Sequence, residues 1–191
     1  MRPEFPIAPR RRGPMLPLAV AAMLMLAGGA YAGSAIYVEG GTDDDEDDAS
    51  RVGLALSYEL PYRFLEAGNW YLGTAFEASA SYWDARSGAS GNDSLFEGGL
   101  TGMLRYQRTP TGGLAPFVEA GTGPHVMSET GIADRDFDIR LTFGSHVGAG
   151  FRMGTRGQWE FLYRFQHLSN AGLGDSNPGI NFHLLRVGYW F

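Results

Sequence analysis

The stretch Gly157–Ser169 reads GQWEFLYRFQHLS, and its side chains alternate between two chemical kinds. Every second position is aromatic, at Trp159, Phe161, Tyr163 and Phe165. The intervening positions carry Gln158, Glu160, Leu162, Arg164 and Gln166. Because successive side chains of a β-strand point to opposite sides, a period of two residues indicates a strand whose two faces meet different surroundings. The stretch therefore predicts a strand with an aromatic, apolar face and a largely polar face.

The same alternation recurs along the chain after residue 32 and predicts eight strands. In the last of them, Leu185, Val187, Tyr189 and Phe191 share one face. The predicted strands lie near residues 34–40, 51–60, 69–83, 95–106, 114–121, 139–152, 157–169 and 181–191. Eight is the smallest common strand number among even-numbered membrane barrels.

The composition agrees with a membrane barrel and disfavours several other classes of protein. Of the 191 residues, 28 are Gly and only 19% are charged, against roughly 25% charged in ordinary soluble domains. After residue 32 no apolar stretch is long enough for a spanning helix, so a membrane-embedded chain must close into a barrel. The net charge of −6 disfavours nucleic acid as a partner, and the absence of Cys excludes disulfides and thiolate chemistry. We therefore predict an all-β protein, an eight-stranded antiparallel transmembrane β-barrel of the outer membrane.

Residues 1–32 are predicted to be a signal peptide. Arginines at positions 10 to 12 precede the apolar run Met15–Leu26, and Ala30-Tyr31-Ala32 has the small residues of a cleavage site. The apolar run is shorter than the roughly 20 residues of a spanning helix, which disfavours a membrane anchor. We expect export, cleavage after Ala32 and a single barrel domain over residues 33–191.

The connections between the predicted strands alternate in length. Short turns are expected near residues 61–68, 107–113 and 153–156, and longer polar loops near 41–50, 84–94, 122–138 and 170–178. Outer-membrane barrels have short periplasmic turns and longer extracellular loops. The long connections are therefore assigned to the extracellular side.

The polar faces of the strands carry Glu and Arg in similar numbers, which predicts an interior filled by ion pairs rather than an open pore. The first long loop contains the acidic run Asp43–Asp48. Carboxylates can hold divalent cations, but this run lacks the spaced ligands and the Gly of a calcium loop. A solvated loop is the simpler interpretation, and no metal or other cofactor is predicted.

Polar residues interrupt the aromatic face of Gly157–Ser169 at its end. The next two positions on the outward face after Phe165 are His167 and Ser169. A serine hydroxyl becomes a nucleophile when an imidazole accepts its proton, and residues i and i+2 on one strand face are near enough for that contact. His167 and Ser169 are therefore candidates for a base and a nucleophile at the depth of the outer leaflet. The alternative is that both are polar residues of the membrane interface without a catalytic role.

The segment FQHLSNAGL, residues 165–173, and the following Asn177-Pro178-Gly179-Ile180 resemble the C-terminal motif of the lipid A 3-O-deacylase (PagL) family. The resemblance implies an outer-membrane barrel without a cofactor that hydrolyses the ester of the 3-hydroxyacyl chain at position 3 of lipid A, the membrane part of lipopolysaccharide. It further implies that Ser169 is the nucleophile and His167 the general base. Asn170 and a backbone N–H of the Ala171-Gly172 turn, assigned to Gly172, are implied as oxyanion donors.

One position departs from the motif, because the family has Glu two residues after Gly179 and this chain has Asn181. An amide oxygen can accept from the imidazole N–H and orient the ring, but it cannot stabilise imidazolium by charge. We therefore expect reduced rather than absent activity. Asp175 in the adjoining loop is a substitute carboxylate candidate, with a turn residue as the simpler interpretation.

Two other functions are compatible with the same sequence. One is a non-catalytic barrel that supports the envelope or binds surface ligands. The other is acyl transfer between lipids, which uses the same nucleophile and differs only in the acceptor. His183 shares the outward face of the last strand but lies deeper than Asn181, so we predict a packing or supporting role for it. A homodimer is compatible with the sequence as well.

Overall fold

The computed structural model of the protein describes residues 33–44, 49–85 and 89–191. The predicted signal peptide and residues 45–48 of the acidic run lie outside the described residues. The long strands are β1 (Ser34–Asp43), β2 (Ser50–Ala67), β3 (Trp70–Asp84), β4 (Ser94–Arg108), β5 (Ala115–Met127), β8 (Leu141–Met153), β9 (Trp159–Ser169) and β10 (Ile180–Trp190). Two short strands, β6 (Gly131–Ile132) and β7 (Arg135–Asp136), pair with each other between β5 and β8.

The long strands form a closed barrel in the order β1-β10-β9-β8-β5-β4-β3-β2. Every neighbouring pair is antiparallel, including β1 with β10, which closes the sheet. Closure pairs the backbone groups of both would-be edge strands, as a membrane requires. Along the described ranges, no helix is long and apolar enough to cross a bilayer. The predicted all-β class and eight-stranded antiparallel barrel are confirmed.

The two ends of the barrel differ in their connections. One end, called the loop end below, carries the connections β1–β2, β3–β4, β5–β8 and β9–β10. The opposite end, called the turn end, carries the connections β2–β3, β4–β5 and β8–β9 together with residues 33 and 191. The longer connections thus share one end, as the sequence predicts.

The predicted turn near residues 61–68 is wrong. Strand β2 continues through most of this range, and the chain turns only at Gly68 and Asn69. The register between β2 and β3 shifts after Glu59, and this bulge accommodates Pro61, which has no N–H to donate to the ladder.

Strand β5 is longer than predicted, because a stretch with the composition of a loop is part of the sheet. A Cβ at Gly123 would collide with the backbone of Leu100 on β4, so glycine allows the two strands to approach closely here. The extension carries His125 into the interior, where its Nδ1 hydrogen bonds to Glu97. His125 falls in the range 122–138 for which the sequence predicts a loop, and for this residue that prediction is wrong.

Side chains fill the interior of the barrel. Near the loop end lies an apolar cluster that includes Trp83, Leu95, Phe137, Leu168 and Phe182. Ion pairs fill the interior between this cluster and the turn end. Glu119, for example, forms ion pairs with both Arg105 and Arg164, at 2.6 Å each. Buried charges are tolerated only when they are paired in this way. The predicted interior of ion pairs is confirmed. Because side chains fill the interior, a site for a large substrate has room only on the outer surface of the barrel.

Candidate active site on the outer surface of the barrel

His167 lies on the outside of β9, close to the loop end. The aromatic residues Trp159, Phe161 and Tyr163 precede it on the same face and are exposed, whereas Leu168 is completely buried in the interior. The alternation that produces the aromatic face thus carries an imidazole to the surface that meets lipid in a membrane barrel. His167 occupies its predicted position.

Asn181 on β10 is directly opposite His167 in the antiparallel ladder. Directly opposite side chains on one face have Cβ atoms about 5 Å apart and interact. His167 Nδ1 lies 2.7 Å from Asn181 Oδ1. Because an amide oxygen only accepts, Nδ1 carries the proton and Nε2 is the acceptor of the ring. A general base for a serine needs this protonation state.

Ser169 occupies the next outward position on β9, and its side chain is half-buried. With a rise of about 3.3 Å per residue, the Cα atoms of Ser169 and His167 are roughly 7 Å apart along the strand. Among the described residues, the Ser169 hydroxyl and the imidazole form no hydrogen bond with each other. Such a contact often tightens only when substrate is bound. The two predicted residues therefore share one face and one end of the barrel, and only His167 and Asn181 are joined.

The connection β9–β10 folds around the buried side chain of Asn170. Its Nδ2 donates to the carbonyl oxygens of Phe137 and Ser176 at 2.8 and 2.7 Å, and its Oδ1 accepts from the N–H of Gly172 at 2.9 Å. The backbone N–H of Asn170 donates to Asn177 Oδ1 at 2.9 Å. Both predicted oxyanion donors, the Asn170 amide and the Gly172 N–H, therefore have acceptors within the protein, and one of these acceptors, the carbonyl oxygen of Phe137, belongs to the connection β5–β8.

Gly179 packs against the ring of His167. It has a left-handed φ of 67°, a conformation that side chains other than glycine adopt at a cost. A Cβ at this position would lie 2.9 Å from His167 Cε1, closer than such atoms approach. Glycine is thus required here both for the backbone and for the space beside the imidazole.

Asp44 is a member of the site that the sequence analysis did not single out. Its Oδ2 lies 3.0 Å from Asn181 Nδ2. Asp175, the carboxylate considered from the sequence, is exposed, and its backbone N–H donates to Asp138 Oδ2. In the part of the chain that the structure describes, the Asp175 carboxylate makes no contact with His167. The only sequence signal for Asp44 was its place in the acidic run.

Two further polar pairs lie on the outer surface near His167. Ser145 on β8 is directly opposite His167, and its Oγ lies 2.9 Å from Thr122 Oγ1 on β5. His183 on β10 has its Nδ1 2.6 Å from the hydroxyl of Tyr163. Each pair is hydrogen bonded within itself, and His183 packs between aromatic rings in the supporting position predicted for it.

The fold and the site together define a membrane barrel with a filled interior and a hydrogen-bonded cluster of His167, Asn181 and Asp44 on its outer surface near the loop end. The profile of the lipid A 3-O-deacylase (PagL) family matches residues 51–190 of the chain. The chain therefore belongs to the lipid A 3-O-deacylase (PagL) family, and the resemblance of its C-terminal motif is confirmed.

Individual relatives agree with this membership. Lipid A deacylase PagL of Bordetella bronchiseptica is 32% identical over 141 residues, which cover 72% of this chain and 75% of that protein. Lipid A deacylase PagL of Pseudomonas aeruginosa is 29% identical over 172 residues, which cover 90% and 95%. The crystal structure of the outer membrane enzyme PagL superimposes with a TM-score of 0.71 at 24% identity, over 82% of this chain and 99% of that one. The last comparison supports the barrel fold.

Proposed function

We propose that this protein is an outer-membrane lipid A 3-O-deacylase, which hydrolyses the ester of the 3-linked 3-hydroxyacyl chain of lipid A in the outer leaflet. The observation that carries the proposal is the hydrogen bond between His167 and Asn181 on the outer surface, two residues from Ser169, in a chain of this family. A site on the outer surface meets a lipid substrate directly, without passage through the filled interior.

The reaction begins with Ser169 as nucleophile. Lipid A approaches laterally, His167 Nε2 accepts the hydroxyl proton, and Oγ attacks the ester carbonyl carbon. The tetrahedral intermediate places negative charge on the carbonyl oxygen, which needs preorganised donors. The predicted donors, the Asn170 side chain and the Gly172 N–H, are already hydrogen bonded to other groups of the protein. We therefore assign this role to the backbone N–H of Ala171 in the same turn, and the Asn170 side chain holds that turn in shape. Collapse returns the proton from His167 to the sugar oxygen and leaves the 3-hydroxyacyl group on Ser169.

Water completes the cycle at the same two residues. His167 accepts a proton from a water molecule, which attacks the acyl ester of Ser169. Collapse of the second intermediate releases the 3-hydroxy fatty acid, and His167 returns the proton to the Ser169 oxygen. Every proton transfer in both halves of the reaction therefore passes through the imidazole of His167.

Asn181 keeps the base in the correct tautomer. Its Oδ1 accepts from His167 Nδ1, so Nε2 stays available to the serine proton. An amide carries no net charge and therefore stabilises the imidazolium of the intermediate less than a carboxylate does. We expect a slower enzyme than a relative with Glu at this position.

The experiment that tests the function is mass spectrometry of lipid A from cells that express the protein. We expect lipid A to lose the mass of one 3-hydroxyacyl group while the free 3-hydroxy fatty acid accumulates. Gain of that acyl group by phospholipid would identify an acyltransferase instead. Unchanged lipid A, with the barrel shown to be folded by heat-modifiable gel mobility, would contradict catalysis and favour a non-catalytic barrel.

Gly179→Ala is expected to lower the deacylation rate by about a hundredfold, because displacement of a catalytic group by about 1 Å has an effect of this size. The new Cβ must push the ring of His167 away from its place beside Asn181. The measurement is the rate of fatty-acid release by the purified, folded variant. Gly91→Ala is the matched control, since Gly91 has a φ of 75° and open space where its Cβ would stand. Equal rates for both variants would contradict a role for the space beside the ring.

A further inference from the structure

We propose that Asp44, in the connection β1–β2, is a positioning residue that acts through Asn181 on the ring of His167. The inference rests on the proposed function and names a part of its site. A carboxylate from a distant segment of the chain would then support the base in a family whose motif has Glu at the position of Asn181.

A continuous chain of hydrogen bonds joins the three residues. Asn181 lies between the other two, with Oδ1 at 2.7 Å from His167 Nδ1 and Nδ2 at 3.0 Å from Asp44 Oδ2. The strand register explains this arrangement. Asp43, the last residue of β1, pairs with Phe182, so Asp44 follows at the level of Asn181.

The carboxylate decides which way the amide of Asn181 points. An ionised carboxylate has acceptors and no donor, so only the NH₂ end of the amide can face Asp44. The oxygen end must then face His167, and Nδ1 of the ring must be the donor. Without Asp44, the amide can rotate by half a turn and present its NH₂ group to the ring, which favours the tautomer that has its proton on Nε2. That tautomer cannot accept the proton of Ser169.

The base of the loop is fixed in a way that directs Asp44 outward. The buried side chain of Asp43 accepts from the N–H of Ala49 at 3.0 Å and pairs with Arg135 at 3.2 Å. Its backbone N–H donates to the carbonyl oxygen of Ala49 at 2.9 Å. Because neighbouring side chains alternate in direction along a strand, the inward Asp43 leaves Asp44 on the outer surface, where Asn181 lies.

Asp44 acts mainly by fixing the direction of the Asn181 amide, and its negative charge contributes little to the stability of the imidazolium. Its side chain is exposed, and water screens the interaction of exposed charges. The direction of a hydrogen bond is not screened in this way. We therefore expect that removal of Asp44 lowers the fraction of molecules whose His167 can accept the serine proton. This lowers kcat and leaves KM unchanged.

The first test measures kcat and KM of the purified full-length barrel on lipid A in detergent. Asp44→Ala is expected to lower kcat by about tenfold, at the low end of the effect that loss of the hydrogen-bond partner of a metal-bound histidine has. Asp44→Glu restores the acceptor and is expected to recover most of the rate. Asp93→Ala removes another exposed carboxylate from the loop end, in the connection β3–β4, and is expected to change neither constant. A wild-type kcat for Asp44→Ala would overturn the proposal.

The second test repeats Asp44→Ala in an Asn181→Glu background. A glutamate at 181 has only acceptors for His167 Nδ1, so it needs no orienting partner. Asp44→Ala is therefore expected to leave kcat of this background unchanged or to raise it, because a neighbouring negative charge is removed. A tenfold loss in both backgrounds would show that Asp44 merely supports the loop, and the proposal would fail.

The third test reads the tautomer directly and needs no turnover. The ¹⁵N chemical shifts of His167 in the folded barrel are expected to report a proton on Nδ1 in the wild type and a mixture of tautomers in Asp44→Ala. Identical shifts in the two proteins would overturn the inference. Because this measurement requires no substrate, it separates failure of the Asp44 inference from failure of the proposed deacylase function.

Discussion

Ser169→Ala is expected to abolish the release of 3-hydroxy fatty acid from lipid A, with a loss of rate of about 10⁶-fold. The substitution removes the only oxygen that the proposed mechanism uses to form the acyl-enzyme, and it leaves His167 and Asn181 in place. The change in volume is small and the side chain is half-buried, so the barrel itself should fold. Mass spectrometry of lipid A and the rate of the purified variant are the two measurements.

Ser145→Ala is the matched control for this loss. Ser145 is also a serine on the outer surface, and it lies directly opposite His167. Its hydroxyl is hydrogen bonded to that of Thr122, and it has no role in the proposed reaction. We expect nearly full activity for Ser145→Ala. If that variant were inactive and Ser169→Ala active, the nucleophile would be assigned to the wrong strand.

His167→Ala is expected to lower the rate by about 10⁵-fold, because the serine then loses the group that accepts its proton. The same group also protonates the leaving sugar oxygen, so both halves of the reaction are affected. The double variant His167→Ala/Ser169→Ala should be no slower than Ser169→Ala alone, since residues that act as a unit have non-additive effects. A further loss in the double variant would show that the two residues act separately.

His183→Ala is the control for the loss of an exposed histidine from the outer surface. His183 lies on the neighbouring strand, and its Nδ1 is hydrogen bonded to the Tyr163 hydroxyl. It takes no part in the proposed proton transfers, so we expect its variant to retain activity. Heat-modifiable gel mobility checks that all variants are folded. If His183→Ala were folded but inactive while His167→Ala kept its activity, His167 would not be the base of the site.

Much of the candidate site follows from local sequence, for a simple geometric reason. His167 and Ser169 are two residues apart on one strand, so the period of a β-strand alone puts them on one face. Asn181 follows from the family motif, and the antiparallel pairing of β9 with β10 brings it opposite His167. Residues that are near in sequence or joined by one hairpin can be placed without knowledge of the whole barrel.

Asp44 could not be placed in the same way. It is 137 residues from Asn181 along the chain, and the contact arises because β10 pairs with β1 when the barrel closes. In the sequence, Asp44 is one of several adjacent acids, and composition does not distinguish one carboxylate of such a run from the next. Likewise, Gly123 and Pro61 are residues typical of loops and turns, so the sequence does not show that they lie in strands. Each is accommodated in its strand by the neighbouring strand.

Local sequence accounts for the strand period, the outward direction of the aromatic face and of His167, and the membrane-barrel class, because these depend only on the alternation of side chains along a strand. Only the folded barrel establishes where β2 and β5 end, how the interior charges pair and which carboxylate lies beside Asn181. These features depend on the register between strands and on the closure of the sheet, which bring together residues that no local pattern relates.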